Sequence, residues 1–273
     1  MNAAPAPVRP SRVLLVDDNP TNVKVARLHL DRMGMTTTVA GSGPEALMLL
    51  AGQEFDLVLM DLEMPGMDGH ETMRRIRCGQ GADRPVLRPD VPVLAVTAHA
   101  LGEVRQQCGA EGMHGVVTKP VSYGDLAAAM RELLGSGLAG DAEGVAVDPI
   151  RGTGGAAPGR VGDEPVLDLD MAASLLGVSQ AEIRRLLPNA MAEIGHKLGL
   201  AKGGVRTAVL RETALQAHTL KSVAASIGAE RTRRAALRLE NAARREDLER
   251  SRERVAELTA EVARLEAAVA ALG

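Results

Sequence analysis

The chain has 273 residues with 45% hydrophobic residues, enough for two ordinary domains with real cores. Its net charge is −3 and its only aromatics are Phe55 and Tyr123, so it has neither a global basic field for nucleic acid or anionic lipid nor the platforms that stack bases. No run approaches the ~18 apolar residues of a membrane span.

The first ten residues, "MNAAPAPVRP", lack the apolar core of a signal peptide and read as a disordered terminus; the expectation is a soluble, cytoplasmic protein. From residue 12 strand and helix signals alternate. "RVLLVDD" is a continuous apolar run ending in acids, as in a buried parallel strand. "NPTNVKVARLHLDRMG" follows as a helix with Asn19 as N-cap, Pro20 at its first position and Gly34 as its stop. "MTTTVA" is a short β-branched strand, and Ser42 caps the helix after it. "FDLVLMD", "VPVLAVTA" and "GVVTK" are the third, fourth and fifth strands, and Ser122 caps the last helix of the series. Five β-α units imply a doubly wound parallel sheet covered on both faces, over residues 11–135. Cys78 and Cys108 are too far apart in sequence for a metal-type pair and read as reduced thiols.

Residues 136–165 hold eight Gly and three Pro. They read as a flexible linker with a reach of about 30 Å. Beyond it, over 166–273, no strand signal remains. Ser179 with Glu182 forms a capping box, and further helices are expected over about 205–227, 230–245 and 247–271. Helices of this length with short turns favour an antiparallel four-helix bundle.

Ligands of open parallel sheets bind beyond the carboxyl ends of the strands. The first strand ends in Asp17 and Asp18, the third in Asp61, the fourth in Thr97 and the fifth in Lys119. Carboxylates this crowded repel one another unless a cation joins them, and hard oxygen donors with room for water suit Mg²⁺. A carboxylate can attack a phosphoryl group to give an acyl phosphate. Mg²⁺ and Lys119 would neutralise the transferring oxygens, and Thr97 would hydrogen-bond one of them.

The stretches "VLLVDDNPTN", "DLEMPGMDGHE", "VTAHA" and "TKP" resemble, in order, the response-regulator receiver domain. The resemblance implies Asp61 as phosphoacceptor and Asp18 as direct Mg²⁺ ligand, with Asp17 acting mostly through water. It also implies that the Glu63 backbone carbonyl completes the metal site and that a cis peptide bond precedes Pro120. Receivers usually carry Phe or Tyr three residues before the lysine; here that residue is Val116, which puts the family's conformational readout in question and leaves the phosphoryl chemistry intact. A haloacid-dehalogenase-type phosphatase would need a second Asp where Glu63 stands.

The segment "AHTLKSVAASIGA" places a lone histidine, His218, among small residues. On a helix at 100° per residue with His218 at zero, Val209 and Ile227 fall near ~180°, Leu220 near ~200° and Val223 near ~140°. Arg211, Ser222, Ala225 and Ala214 lie within ~40° of His218 and Lys221 at ~60°. His218 is therefore expected to face away from the core, with Lys221 one turn on. Thr213 and Gln216 on the core side are a mild objection to this phase. A metal ligand at i±4 is missing, since Ala214 and Ser222 occupy those positions. An exposed imidazole can itself take a phosphoryl group, with Lys221 stabilising the added charge.

The segment resembles the active-site helix of histidine phosphotransfer domains, and the resemblance extends over about 166–273, including "LLGVSQAEI" and "LRLENAAR". It implies phosphorylation of His218. Ser222 stands where Gly is usual in that family, beside His218 on the helix.

In the last helix Val255, Leu258, Val262, Leu265 and Val269 repeat with 3-4 spacing. The seam is two heptads long and reads either as packing within the bundle or as a weak homodimer contact.

The resulting expectation is a phosphorelay protein. Asp61 would take a phosphoryl group from a sensor histidine kinase, and His218 would exchange with Asp61, with a downstream response-regulator receiver, or both. The segments leave no room for an ATP-binding kinase lobe or a DNA-binding module, so the enzymatic status stays open: a transfer intermediate, with autophosphatase activity of phospho-Asp61 as an option. The alternatives are a receiver-switched interaction or dimerisation protein with a silent bundle, and a phosphate sink.

Overall fold

The computed structural model describes residues 10–98, 101–134 and 164–272, and for 101–104 the backbone alone. The expected disordered terminus and flexible linker lie almost wholly outside the described residues. The chain divides into two compact units, with the division between residues 145 and 146.

The first unit carries β1 (Arg12–Val16), α1 (Pro20–Arg32), β2 (Thr36–Ala40), α2 (Gly43–Gly52), β3 (Leu57–Asp61), α3 (Gly69–Arg77), β4 (Val93–Thr97), α4 (Leu101–Ala110), β5 (Gly115–Thr118) and α5 (Tyr123–Leu134). All strand pairs are parallel, in the order β2-β1-β3-β4-β5. The central strands are apolar on both faces because each face is covered. Leu14, Val16, Val58 and Met60 join one core with Phe55 and Met73, while Val13, Leu15, Leu57 and Leu59 join the other with Leu30, Leu126 and Met130.

The helix starts follow their capping chemistry. Asn19 accepts from the backbone N–H groups of Thr21 and Asn22, with Pro20 opening α1. Ser42 caps α2, Asp68 caps α3, and Ser122 accepts from Asp125 N. Gly69 lets α3 begin directly against the end of β3. A Cβ there would stand 2.3 Å from the Asp61 carbonyl oxygen, so only glycine permits the approach.

The second unit is all-helical among the described residues: α6 (Leu169–Leu176), α7 (Gln180–Arg206), α8 (Leu210–Ser226), α9 (Glu230–Arg244) and α10 (Leu248–Ala270). Helices α7 to α10 pack in a ring, α7 on α8, α8 on α9, α9 on α10 and α10 on α7. This is the four-helix bundle expected, with the short α6 added at its entrance. The capping box at Ser179 and Glu182 forms as read, and α7 continues through Pro188.

The core of the bundle is aliphatic: Leu187, Ile194, Leu198, Leu220, Val223, Ile227, Leu239, Leu258, Val262 and Leu265. The 3-4 seam of α10 is thus buried inside the bundle, with Val255 and Val269 packed at its margins. Of its two readings, packing within the bundle is the one the fold adopts. Gly228 has φ +76° in the α8–α9 turn, and its carbonyl accepts from Asp168 N at 3.0 Å. A Cβ at Gly228 would meet the Asp168 carbonyl oxygen at 2.0 Å. Among the described residues no helix is long and apolar enough to cross a membrane.

Candidate functional site

At the carboxyl edge of the sheet in the first unit, Asp17 and Asp18 follow β1, Asp61 ends β3, Thr97 ends β4 and Lys119 follows β5. Carboxylate oxygens of Asp17, Asp18 and Asp61 lie within 4.8 Å of one another. Asp17 is 5% exposed, Asp61 3% and Thr97 2%, so this is a buried anionic cluster. Lys119 Nζ donates to Asp61 Oδ2 at 2.6 Å and lies 3.0 Å from Asp17 Oδ2. The Glu63 N–H donates to Asp61 Oδ1 at 3.1 Å. The main chain ties the two last strand ends together, Lys119 N donating to the Thr97 carbonyl at 2.7 Å. The Lys119–Pro120 bond is cis.

Burial raises the Asp61 carboxyl, Lys119 pulls it down and Asp17 pushes it up again; it settles at about 7. Burial alone would lower Lys119, but Asp17 and Asp61 outweigh it and hold the ammonium above the usual lysine range. One ammonium set against three carboxylates leaves a deficit of two positive charges, and the donors are all hard oxygens. That is the donor set and charge that fit Mg²⁺.

Sequence reasoning missed two partners of this cluster. The Asn22 side chain donates to Asp17 Oδ2 at 3.2 Å, and Asn19 N donates to Asp17 Oδ1 at 2.8 Å. Both are polar residues in the first turn after β1, placed to orient a strand-end acid. Val116, where an aromatic is usual in the receiver family, borders a hollow of about 540 Å³. Leu94, Cys108, Met113, Val117 and Leu133 contribute to its apolar wall.

In the second unit, α8 brings Leu220, Val223 and Ile227 into the core as the helical phase requires. Thr213 and Gln216 are buried with that face, while Val209, just before the helix, is 52% exposed rather than buried. His218 is not part of that core, as the phase expects, and its Nδ1 is turned toward α9. Helix α9 lies against α8 and carries Glu240 onto the ring, Glu240 Oε1 standing 3.0 Å from His218 Nδ1.

Lys221 Nζ donates to Glu240 Oε2 at 2.7 Å and stands 3.3 Å from His218 Nδ1. Arg244 Nη2 completes the set at 2.8 Å from Glu240 Oε1. Burial alone would raise Glu240, but the hydrogen bonds from His218 and Lys221 prevail and hold its carboxyl at about 2. A carboxylate that stays ionised can only accept. Nδ1 therefore carries the proton toward Glu240, and the imidazole lone pair lies on Nε2. Ser222, at i+4 from His218, is 6% exposed.

Glu240 is the functional candidate that the sequence reading did not single out. Its signal is a lone Glu on the buried stripe of α9, one turn from Ala236 and beside Leu239 and Ala243, where an acid persists only if paired.

These two sites define a protein of two-component phosphorelay signalling. Residues 13–131 match the response regulator receiver domain and residues 174–268 the Hpt domain, so the chain is a receiver–Hpt fusion. Its curated relatives include the sensor protein GacS of Pseudomonas syringae pv. syringae, 37% identical over 134 residues that make up 49% of this chain and 14% of that protein. Another is the sensor histidine kinase RcsC of Escherichia coli, 37% identical over 110 residues, 40% of this chain and 11% of that one. The chain thus matches a small part of the length of these relatives. Among solved structures, the receiver domain of a sensor histidine kinase from Pseudomonas aeruginosa, described with a magnesium ion coordinated in its active site cleft, is 31% identical. It covers 47% of this chain and 100% of that one with a TM-score of 0.41. The chemotaxis protein CheY4 of Vibrio cholerae is 26% identical, covers 46% and 99% of the two chains, and has a TM-score of 0.41.

Proposed function

We propose that Asp61 accepts a phosphoryl group from the phosphohistidine of a sensor kinase, and that His218 exchanges phosphoryl groups with Asp61 or with the receiver of a partner response regulator. Residues 11–135 and 166–273 are the two working domains in this reading, tethered through 136–165 in a cytoplasmic protein. The observation that carries it is the Asp61 carboxylate, held by Lys119 at 2.6 Å and by the Glu63 N–H at 3.1 Å beside Asp17 and Asp18.

Asp17, Asp18 and Asp61, with the Glu63 carbonyl, are the residues that would hold Mg²⁺. When bound, the ion supplies positive charge against the transferring oxygens. The remaining work belongs to the chain. A carboxylate oxygen of Asp61 forms a bond to phosphorus as the P–N bond of the donor phosphohistidine breaks, and the imidazole leaves with the electron pair. Lys119, held in place by Asp17 as well, compensates charge on the phosphoryl oxygens, and the Thr97 hydroxyl donates to one of them.

In the second step His218 Nε2 attacks phosphorus and the P–O bond to aspartate breaks, returning a carboxylate. Nδ1 keeps its proton, so the phosphorylated ring is cationic, and Glu240 stands against that charge.

Phosphotransfer from a purified hybrid sensor kinase to the chain, to Asp61→Ala and to His218→Ala tests both halves. Label that reaches the wild type but not Asp61→Ala supports the first step. If the chain loaded at Asp61 never labels His218, in cis or in trans, and His218→Ala leaves transfer to a partner receiver unchanged, the second step is wrong.

A further inference from the structure

We propose that the groove between α9 and α10, at the turn that joins them, binds a small phosphate dianion. The groove has a volume of about 200 Å³ and is lined by Arg238, Asn241, Ala242, Arg245, Arg250 and Arg254. The volume is below the ~300–1,000 Å³ of sites for drug-sized ligands, which favours a single phosphoryl group over a whole nucleotide.

The charges in the groove do not balance. Glu257 accepts from Arg238 Nε at 3.2 Å, from its Nη2, and from Arg254 Nη1 at 2.9 Å. That one carboxylate engages and orients two guanidinium groups. Asp247 comes no nearer to Arg250 Nε than 3.8 Å, and its Oδ1 is already occupied as the N-cap of α10, accepting from Arg250 N at 2.9 Å. Arg245 has no ion pair among the described residues. Four guanidinium groups against two carboxylates leave a surplus of two positive charges, the charge that a phosphate dianion cancels. Guanidinium forks match phosphate oxygens bidentately, and the Asn241 amide adds a neutral donor.

The groove is separate from the histidine site. At 100° per residue, Arg238, Asn241 and Arg245 lie roughly 100–160° around α9 from Glu240, and Glu240 is the residue that meets His218. The inference therefore does not rest on phosphotransfer.

Isothermal titration of the whole chain in EDTA at fixed ionic strength, with inorganic phosphate in one arm and glycerol 3-phosphate in the other, tests it. Saturable one-site binding is expected, weakened at least tenfold by Arg245→Gln and by Arg250→Gln. Binding in the first arm alone assigns free phosphate, and binding in both admits phosphate esters. No saturable binding in either arm, or binding that both substitutions leave unchanged, overturns the proposal.

Discussion

Glu240 Oε1 lies 3.0 Å from His218 Nδ1, joining helices α8 and α9 across 22 residues of sequence. The pair fixes which imidazole nitrogen holds the proton and, in the proposed relay, would compensate the positive ring charge of a phosphorylated His218. Glu240→Ala is expected to slow transfer to and from His218 by about tenfold or more, equivalent to ~1.4 kcal/mol. Glu240→Gln, which keeps a hydrogen-bond acceptor but no charge, should lie between. The tautomer is read independently from the ring nitrogen chemical shifts of His218, which move toward a mixture in Glu240→Ala.

The same pair carries a pH dependence. Glu240 ionises at about 2 in the folded chain against its ordinary 4.5. A depressed folded pKa gives stability that is complete above 4.5 and lost as pH falls through 2. The difference in melting temperature between wild type and Glu240→Gln is expected to be largest above pH 5 and to shrink between pH 4.5 and 2. A difference that stays flat through this window contradicts the pairing.

Asp61 shifts the other way, from 3.8 to about 7. A carboxyl raised on folding weakens the fold as pH rises from 3.8 through 7, because the folded form resists ionisation. In EDTA at pH 8, Asp61→Asn should therefore stabilise the chain, by on the order of 1 kcal/mol or more since one pKa unit is ~1.4 kcal/mol. Mg²⁺ should raise the melting temperature of the wild type and do so far less for Asp61→Asn. Thermal melts of both proteins with and without Mg²⁺ read both effects.

Two glycine substitutions in the helical unit should act in opposite directions. Gly228→Ala forces a Cβ against the Asp168 carbonyl oxygen at a φ of +76°. The conformation alone costs about 1–2 kcal/mol, and the collision adds to it. Gly199 lies inside α7 with nothing within 4 Å of an added Cβ. Gly199→Ala should stabilise by roughly 0.5–1 kcal/mol. Urea denaturation of the two variants beside the wild type measures both shifts.

The sheet was legible because four of its strands are apolar runs that stop at acids, a hydroxyl and a lysine, and the remaining one, β2, is β-branched. Once five strands alternate with helices, parallel pairing puts the strand-end residues on one edge. The chemistry of that edge follows from local order along the chain, and the helix starts at Asn19, Ser42, Ser122 and Ser179 are equally local.

The sequence by itself determined the two architectures, the α10 seam as a buried stripe or a dimer contact, and the groups that could carry phosphoryl chemistry. What only the tertiary structure decided depends on which side chains meet across distant segments. Helical phase turned His218 away from Leu220 and Val223, and α9 sets Glu240 against its Nδ1, a residue that periodicity within α8 cannot see. Asn22 at Asp17, the bundle's use of the α10 seam, and the surplus of arginine where α9 turns into α10 have the same origin. Periodicity fixes the face of a single helix, but packing decides what that face touches, and charge compensation belongs to the pair.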